Sequence, residues 1–585
     1  MNETRVVDPA DSLTARFLSQ VDKWPDRTAY VWHDDRAGRW KTVSRADMRL
    51  EVGRWQDAMK AEGLVCGDRV AIMARNGPDW VAFDLAALGL GLVTVPLYVD
   101  DRPENAAHIL EETSARLLVV GQWRWWQALW EVGVPDSLVR TVCLDGSAQK
   151  ADGADPSGYV CTLTRWLHAR LGDPVALASR DDLATLAFTS GTTGRPKGVM
   201  LTHGNILSNV EAAASLAPID HRDRFLSILP LTHTLERTAG LYLSMVTGAT
   251  VYFARSVQHL GEDMRLQRPT VLIGVPRLYE RAWRRLEVTV AQSHPLRRAL
   301  FDLALTAGRA GAAHRRGESA PWLPRLVEPL TQRLVGRRIM ARFGGALRLA
   351  ISGGAPLQAE LAERLIALGM PLLQGYGLTE ASPVICVNRP ESNRPGSVGP
   401  ALPGVSVRRA ESGELWVRGP NVTQGYWQRP DDTARAIDEE GWLHTGDLCE
   451  IDADGHVRIT GRLKELIVLS SGQKVPPADL ELAIGQDHWV DQVMLVGEGM
   501  PGLIALVVPD READVADPSD QKAWQARLNA RLSGFPRHAR VRRVIVTDEP
   551  WTVDNGLLTP TLKLRRARIL EAHRAAVDAA RAALG

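Results

Sequence analysis

An apolar segment at residues 183–188 runs directly into a stretch of glycines, hydroxyl side chains and one lysine. The segment reads LATLAF, and residues 189–198 read TSGTTGRPKG. A short apolar run bounded by such residues predicts a buried strand that ends in a loop. Consecutive glycines and hydroxyls expose backbone N–H groups, which form an anion-binding concavity, and Lys197 adds a mobile positive charge. The chain is therefore expected to build a sheet in which this strand leads into a polyphosphate-binding loop.

This loop differs from the P-loop of GTPases and related NTPases. The P-loop carries its lysine directly after its second glycine, whereas Arg195 and Pro196 separate Gly194 from the lysine here. The surrounding fold must therefore be a different one. The phosphate-binding candidates are Thr189, Ser190, Gly191, Thr192, Thr193, Gly194 and Lys197.

The length of 585 residues predicts two or more domains. Short β-rich segments alternate with helical patterns in the N-terminal part, at residues 68–73, 92–96, 116–120, 225–229 and 270–273. This alternation predicts layered α/β subdomains around largely parallel sheets. After about residue 405 apolar and polar residues begin to alternate, as in half-exposed strands. The residues after Arg462 predict a compact α+β domain that ends in a helix at 564–584.

Composition and charge argue against several classes of protein. The net charge of +1 gives no bulk electrostatic case for a nucleic-acid partner. The first residues lack the pattern of a secretory signal. The most apolar run, residues 85–99, is interrupted by glycine and proline and is shorter than the roughly 20 residues of a spanning helix, so a helix feeding a buried strand is expected. Five scattered cysteines without a metal-binding cluster favour a cytoplasmic location.

Lysine is rare in this chain, with nine lysines among 70 basic residues. Lysine and arginine are not interchangeable at a phosphate or a reacting centre. Lys197, Lys464, Lys474 and Lys563 all lie in loops marked by glycine, threonine or proline, which makes them functional candidates. The alternative is that a few lysines survive by chance and some fall in loops, and lysine bias alone does not separate the two interpretations.

Residues 281–342 form a basic segment with a helical pattern. They contain thirteen arginines and four acidic residues, with Trp283 and Trp322 among them. One interpretation is a surface for peripheral attachment to an anionic membrane, at its inner face for a cytoplasmic protein. The other is a solvated helical hairpin, which is preferred because a charge run alone is weak evidence.

The loop at 189–198 resembles the phosphate loop of the adenylate-forming enzymes, which include acyl-CoA synthetases, adenylation domains and luciferases. Other motifs of that family follow in order: SGGAP at 352–356, QGYGLTE at 374–380, GWLHTGD at 441–447 and TGR at 460–462. The resemblance runs from about Phe17 to Arg566. It implies a large N-terminal domain of layered α/β subdomains, residues 1–462, and a smaller mobile α+β domain, residues 463–585.

The resemblance also implies which residues bind ATP and Mg²⁺. Tyr376 offers a face for a purine, Thr379 matches an α-phosphate ligand, and Glu380 is a hard ligand for Mg²⁺. The adenine side is completed by residues from two segments, namely Gly354, Ala355, Gln374, Gly375 and Gly377. Asp447 and Arg462 match the residues that bind the ribose.

Three of the loop lysines acquire roles in the C-terminal domain through the same resemblance. Lys464 stands where the family places its hinge. Gly472 and Lys474 resemble the loop that approaches the pantetheine of coenzyme A. Lys563 occupies the place of the catalytic lysine, where a cation bridges the carboxylate and the α-phosphate.

Three segments are similar to the long-chain fatty acyl-CoA synthetases in particular. They read PLTHTLER at 230–237, VPRLYE at 275–280 and TPTLK at 559–563, and the basic segment at 281–342 also suits this group. His233 is expected near the carboxylate end of the acyl site. The alternative for His233 is a buried histidine satisfied by the backbone.

The resemblance implies a two-step ligase that uses ATP, Mg²⁺ and coenzyme A to activate a long- or medium-chain fatty acid. The catalytic candidates are Lys563, Glu380, Thr189 and His233. One alternative is a fatty acyl-AMP ligase or an acyl-carrier-protein synthetase. Another is a non-catalytic lipid-binding relative, which the joint presence of the candidate residues argues against. Chain length, a homodimer and membrane attachment are left open.

Overall fold

The computed structural model describes residues 11–145, 159–167, 172–189, 196–510, 513, 517, 520–553, 555–559 and 563–584. The chain divides into two compact units. The first comprises residues 1–407, 417–443 and 452–457, and the second comprises residues 408–416, 444–451 and 458–585. The domain boundary expected between residues 462 and 463 stays a prediction.

The described residues form strands and helices throughout both units. The strands are β1 Thr28–Asp34, β2 Arg39–Ser44, β3 Arg69–Met73, β4 Val93–Pro96, β5 Leu117–Val120, β6 Arg140–Cys143, β7 Val160–Thr162, β8 Leu183–Thr189, β9 Lys197–Thr202, β10 Arg224–Ser227, β11 Thr250–Phe253, β12 Val271–Gly274, β13 Leu349–Ser352, β14 Leu372–Gly377, β15 Val384–Val387, β16 Ser406–Arg409, β17 Glu414–Arg418, β18 Leu443–Ile451, β19 Val457–Arg462, β20 Ile467–Val468, β21 Lys474–Val475, β22 Val490–Val496, β23 Leu503–Pro509 and β24 Val541–Val546. The helices are α1 Leu13–Lys23, α2 Arg45–Ala61, α3 Pro78–Gly89, α4 Pro103–Glu112, α5 Trp123–Val132, α6 Leu163–Trp166, α7 His203–Leu216, α8 Leu243–Thr247, α9 Leu260–Gln267, α10 Pro276–Ala291, α11 Pro295–Arg315, α12 Trp322–Thr331, α13 Arg337–Arg342, α14 Ala359–Ala367, α15 Pro430–Ala436, α16 Pro477–Ile484, α17 Gln521–Arg531, α18 Arg566–Ala572 and α19 Arg574–Ala582. Two π-helical segments occur among the described residues: Glu236–Tyr242 between β10 and α8, and Gln332–Gly336 between α12 and α13.

Seven strands of the first unit form one sheet in the order β7-β6-β5-β3-β4-β8-β9. Neighbouring strands are parallel except for β9, which runs antiparallel to β8. All residues of β4 and β5 are buried, as expected where a parallel sheet is covered on both faces. The strand predicted at residues 183–188 is β8, which confirms that prediction.

Eight strands form the second sheet of the first unit, in the order β15-β14-β13-β12-β10-β11-β1-β2. The strands from β14 to β1 run parallel, and β15 and β2 are antiparallel additions at the two edges. The apolar run at 85–99 contains the end of α3 and the buried strand β4, which confirms the helix-to-strand interpretation. No helix among the described residues is long and apolar enough to cross a membrane.

The C-terminal part of the chain is a separate α+β arrangement. Strands β22, β23 and β24 form a sheet in which β22 is antiparallel and β24 is parallel to β23. Strands β20 and β21 form a hairpin, and β16 to β19 form a four-stranded sheet in chain order. The helix expected at 564–584 is two helices, α18 and α19. The layered α/β fold with a smaller α+β unit confirms the predicted fold class.

A buried ionic network holds the seven-stranded sheet to the π-helical segment after β10. Asp84 on α3 pairs with Arg237 and accepts a hydrogen bond from the Tyr242 hydroxyl at 2.7 Å. The guanidinium of Arg237 also donates to Thr94 on β4 and Thr185 on β8, at 2.7 and 2.8 Å. Asp84 and Arg237 are both buried. A buried charge pair of this kind depends on its additional hydrogen bonds, and both partners have them.

Glu236 begins the π-helical segment and makes the stability of the fold depend on pH. Burial raises the pKa of Glu236 to about 8 from 4.5, and its Oε2 has no hydrogen-bond partner among the described residues. The folded state keeps the proton over that pH window and the unfolded state releases it, so stability falls as pH rises from 4.5 to about 8.

We therefore expect Glu236→Gln to be more stable than the parent protein above this window, by roughly 1.4 kcal/mol for each pKa unit. Below the window the two proteins should differ little. Urea denaturation followed across a pH series would measure the difference. Parallel stability curves for the two proteins would contradict the prediction.

Candidate active site

Several predicted site residues of the first unit lie in segments that leave one edge of the eight-stranded sheet. The parallel strands β10, β12, β13 and β14 all end at this edge, and the segments that leave them carry the predicted residues. His233 follows β10, Gly354 and Ala355 follow β13, and Thr379 and Glu380 follow β14. Ligands of open α/β sheets bind outside the carboxyl ends of the strands. The topology therefore joins motifs that are widely separated in the sequence.

Two neighbouring strands present unpaired polar atoms at this edge. Ser352, the last residue of β13, pairs in register with Gln374 on β14. Ser352 Oγ and Gln374 Oε1 are buried and have no hydrogen-bond partner among the described residues. Buried polar groups normally have partners, so these two atoms suit the polar edge of a ligand.

Gly377 is required where β14 meets the following turn. A Cβ atom added to Gly377 would lie 1.8 Å from the carbonyl oxygen of Pro383, which leaves room for hydrogen alone. Gln374, Gly375 and Tyr376 lie on the same strand. The short turn Thr379–Ala381 follows the strand. The close approach of Gly377 to the backbone of Pro383 therefore fixes the position of Thr379 and Glu380 relative to the strand.

His233 lies in the loop after β10, beside the β14 loop. The two loops meet at Thr234 Oγ1 and Thr379 Oγ1, which are 3.4 Å apart. The backbone N–H of Leu235 donates to His233 Nδ1 at 3.2 Å. A neutral imidazole that accepts at Nδ1 carries its proton on Nε2, so the geometry assigns the donor nitrogen of this ring.

The predicted phosphate loop connects two antiparallel strands. Thr189 at the end of β8 pairs with Lys197 at the start of β9. Ser190, Gly191, Thr192, Thr193 and Gly194 lie outside the described residues. The Lys197 ammonium is 2.9 Å from a carboxylate oxygen of Asp432 and 5.3 Å from the centre of the Tyr426 ring. The Lys197 contact lowers the pKa of Asp432.

Tyr426 connects the phosphate-loop lysine to the predicted metal ligand. Its hydroxyl donates to Glu380 Oε1 at 2.9 Å while its ring faces Lys197. Residues 198–200 of β9 pair with 425–427, and Val199 forms an antiparallel bridge with Tyr426. Burial and then Glu380 raise the pKa of the Tyr426 phenol, so the hydroxyl remains a donor. Sequence reasoning missed Tyr426 and Asp432, because only strand pairing places them here.

The second unit contains the predicted ribose-binding pair. Arg462 Nε donates to Asp447 Oδ1 at 2.7 Å, and the Asp447 side chain is nearly buried. Asp447 N–H donates to Thr445 Oγ1, whose hydroxyl in turn donates to the Leu415 carbonyl at 2.7 Å. Two residues assigned to one ligand group from separate motifs are thus adjacent, and the strand β18 holds the carboxylate in place.

The candidate lysines of the second unit lie in or beside exposed turns. Lys464 lies in the turn Leu463–Glu465, directly after β19, and is exposed. Gly472 and Lys474 are exposed at the β20–β21 hairpin. Lys563 is exposed on a second turn, where its backbone N–H donates to Thr559 Oγ1 at 3.0 Å and Leu558 bridges Leu564.

Comparison with known proteins agrees with these motifs over nearly the whole chain. The AMP-binding enzyme family matches residues 17–427, and the AMP-binding enzyme C-terminal domain matches residues 464–584. Long-chain-fatty-acid–CoA ligase FadD15 of Mycobacterium bovis is 31% identical over 590 residues, which cover 97% of each protein. A chloroplastic long-chain-fatty-acid–[acyl-carrier-protein] ligase, AEE15 of Arabidopsis thaliana, is 27% identical over 96% of this chain and 85% of its own length.

A solved structure confirms the fold. The ATP-bound crystal structure of MatB from Rhodopseudomonas palustris is 26% identical, with a TM-score of 0.72 over 96% of this chain and 98% of that one. The resemblance to the adenylate-forming enzymes, and to their long-chain fatty acyl-CoA synthetase group, is therefore confirmed. The family matches and the full-length relatives together show that this chain belongs to the AMP-binding enzyme family.

Proposed function

We propose that this protein is an AMP-forming long-chain fatty acid–CoA ligase. The observation that carries the proposal is the contact chain from Lys197 through Tyr426 to Glu380, at the edge where four parallel strands end. Bound Mg·ATP requires a cation for its phosphates and a carboxylate for its metal ion. Lys197 at the predicted phosphate loop and Glu380 supply these two groups. The full-length similarity to a long-chain-fatty-acid–CoA ligase supports the substrate class.

The first step forms an acyl-adenylate. A carboxylate oxygen of the fatty acid attacks the α-phosphorus of ATP, the bond from that phosphorus to the bridging oxygen breaks, and pyrophosphate leaves. We propose that Lys563 balances the charge on the carboxylate and the α-phosphate during this attack. Thr379 and Thr189 donate hydroxyl hydrogen bonds to phosphate oxygens, and His233 Nε2–H orients the fatty acid carboxylate.

The second step forms the thioester. The sulfur of coenzyme A attacks the acyl carbon of the adenylate, the carbon–oxygen bond to phosphate breaks, and AMP leaves while the thiol proton goes to solvent. In this proposal the C-terminal domain turns about Lys464 between the two steps. The turn replaces Lys563 by Gly472 and Lys474, which then line the path of the pantetheine.

The residues at the sheet edge fit a magnesium ion held mainly by phosphate. Mg²⁺ is usually bound through one or two carboxylates together with substrate phosphates and water. Among the described residues no three histidine, cysteine or acidic side chains converge on one point, whereas Glu380 is a single oriented carboxylate. Glu380 would therefore hold the ion, which when bound neutralises charge on the polyphosphate.

Each unit carries residues proposed for the nucleoside part of ATP. Ser352 Oγ and Gln374 Oε1 offer their unpaired polar atoms to the adenine edge, and Tyr376 stacks on its face. The pair Asp447 and Arg462 binds the ribose hydroxyls. The location proposed for the reaction is the cytoplasm, because none of the five cysteines forms a disulfide, although four of them are buried in the folded chain.

The proposal is tested by measuring pyrophosphate and AMP release with palmitate or octanoate, ATP and Mg²⁺. Sustained AMP release that requires both the fatty acid and coenzyme A would support the ligase. Pyrophosphate formation that is indifferent to coenzyme A would favour an acyl-carrier-protein ligase, the alternative that the similarity to AEE15 supports. Absence of turnover with any fatty acid would contradict the substrate class.

Tyr426→Phe is expected to raise the Mg²⁺ concentration required for adenylate formation by about tenfold or more, because losing an outer hydrogen bond to a metal ligand typically costs about 10- to 100-fold. The ring and its contact to Lys197 remain, and only the hydroxyl that orients Glu380 is lost. Pyrophosphate release as a function of Mg²⁺ measures the effect. If Tyr426→Phe left the Mg²⁺ requirement unchanged while Glu380→Gln altered it strongly, the role of Tyr426 would be contradicted and that of Glu380 would stand.

A further inference from the structure

Helix α12 exposes an apolar face that the charge pattern of the sequence could not reveal. Trp322, Leu326 and Leu330 follow one another at intervals of four residues and are 68%, 68% and 58% exposed. Leu323 and Leu334 extend this surface, and we refer to these five side chains as the leucine face. Eight of the eighteen exposed large apolar side chains among the described residues lie between positions 288 and 334. Such a concentration of exposed apolar surface marks an interaction site.

The opposite side of α12 is already used for packing within the first unit. Glu328 pairs with Arg315 of α11 at 2.9 Å and packs where Gly311 leaves space for it. Thr331 is buried, and Gln332 in the following π-helical segment donates to the Ala367 carbonyl at 2.6 Å. The helix is therefore fixed by its polar side. Its apolar side faces solvent, the reverse of the usual arrangement of a surface helix.

Basic side chains continue the leucine face toward α13. Arg333 and Arg337 are exposed and take part in no ion pair within the part of the chain that the structure describes. The segment 281–342 carries nine more positive than negative charges, although the whole chain carries +1. Three of its four carboxylates are already paired with arginine: Glu287 with Arg364, Glu318 with Arg316 and Glu328 with Arg315. The exposed charge beside the leucine face is therefore strongly positive.

We propose that the leucine face is the surface through which this protein binds an anionic phospholipid bilayer. A helix with leucines and a tryptophan on one face and arginines beside them lies in the interface of a membrane, with the apolar side chains among the acyl chains. Tryptophan side chains are enriched at the membrane–water interface, and arginine side chains bind the lipid phosphates. The positive rim selects an anionic bilayer over a neutral one. In this proposal the basic segment at 281–342 contains a membrane-docking surface and is not merely a solvated helical hairpin.

This inference goes beyond the proposed reaction and does not depend on it. It also has a consequence for substrate supply, because long-chain fatty acids partition into bilayers. A protein seated on the membrane by α12 would meet such a substrate at the surface rather than in water.

The experiment is cosedimentation of the full chain with large vesicles of phosphatidylcholine alone or in an equal mixture with phosphatidylglycerol. Leu326→Gln/Leu330→Gln is expected to weaken binding to the mixed vesicles roughly tenfold or more. Arg333→Gln/Arg337→Gln should weaken it to a similar degree and remove the preference for the anionic lipid. The matched controls Leu50→Gln/Leu177→Gln and Arg537→Gln/Arg540→Gln alter exposed residues elsewhere and should bind like the parent protein.

Thermal unfolding and light scattering complete the test. All four variants should unfold at the temperature of the parent protein, because every altered side chain is exposed. Failure of the parent protein to bind the mixed vesicles would overturn the proposal, and so would equal binding by the leucine variant and its control. A parent dimer that becomes a monomer in the leucine variant would show that a second copy covers this face, which would also overturn it.

Discussion

Lys563→Ala should lower the rate of acyl-adenylate formation by about 10²–10³-fold, the usual effect of removing one preorganised group that stabilises transition-state charge. The Lys563 backbone is held by Thr559 on an exposed turn, so the substitution removes the ammonium and little else. Thioester formation from synthetic acyl-adenylate and coenzyme A should stay close to the parent rate. Lys563→Arg should recover activity only in part, because a planar guanidinium does not replace a compact ammonium.

The two half-reactions are measured separately, as pyrophosphate release without coenzyme A and as AMP release from the synthetic adenylate. Lys522→Ala is the matched control, because Lys522 lies in the same C-terminal part and, unlike Lys464, Lys474 and Lys563, has no assigned role. This variant should behave like the parent protein. A loss of equal size in both half-reactions would mean that Lys563 supports the fold or the domain turn. No loss in either would remove it from the catalytic residues.

Asp84→Asn should destabilise the first unit by about 3–5 kcal/mol, the range found when one partner of a buried ion pair is removed. The Arg237 guanidinium would remain charged and buried, with Thr94 and Thr185 as its remaining acceptors. Tyr242 would face an amide in place of a carboxylate. The guanidinium also lies 5.2 Å from the ring centre of Trp80. Urea denaturation followed by the fluorescence of the chain's 18 tryptophans measures the loss of stability.

A control variant and a double variant make this stability prediction specific. Asp220→Asn removes the partner of Arg222 in an exposed pair and should leave the denaturation midpoint unchanged. Asp84→Leu/Arg237→Leu removes both buried charges and should be less destabilised than Asp84→Asn. If Asp84→Asn unfolded at the parent midpoint, the network would not hold the sheet and the π-helical segment together.

Much of the fold around the predicted site could be predicted because the motifs there are local. The strand β8, the loop after it and the residues of β14 follow from short runs of apolar, glycine and hydroxyl residues, and the structure confirms the strands. The family motifs also indicated that Asp447 and Arg462 act on one ligand, and the two side chains are 2.7 Å apart. Local patterns report the conformation of consecutive residues, which is what these features depend on.

Contacts between distant residues were not predictable in the same way. Tyr426 and Asp432 reach Lys197 because β9 pairs with residues 425–427, more than two hundred positions further along the chain. Asp84 on α3 meets Arg237 in the π-helical segment after β10 because the two elements pack together, although they are far apart in the sequence. Periodicity indicates that a strand exists but does not indicate which strand lies next to it or in which register.

The amino-acid sequence alone was enough to identify the adenylate-forming family and the layered α/β class and to predict a phosphate loop, because each rests on a pattern of neighbouring residues. The tertiary structure was needed for the partner of Glu380, the buried charge network and the exposed face of α12. Each of these depends on which side of an element is covered by another. In α12 a polar side is buried and an apolar side is exposed, an outcome opposite to what apolar periodicity indicates, because α11 and its ionic partner already occupy the inner face.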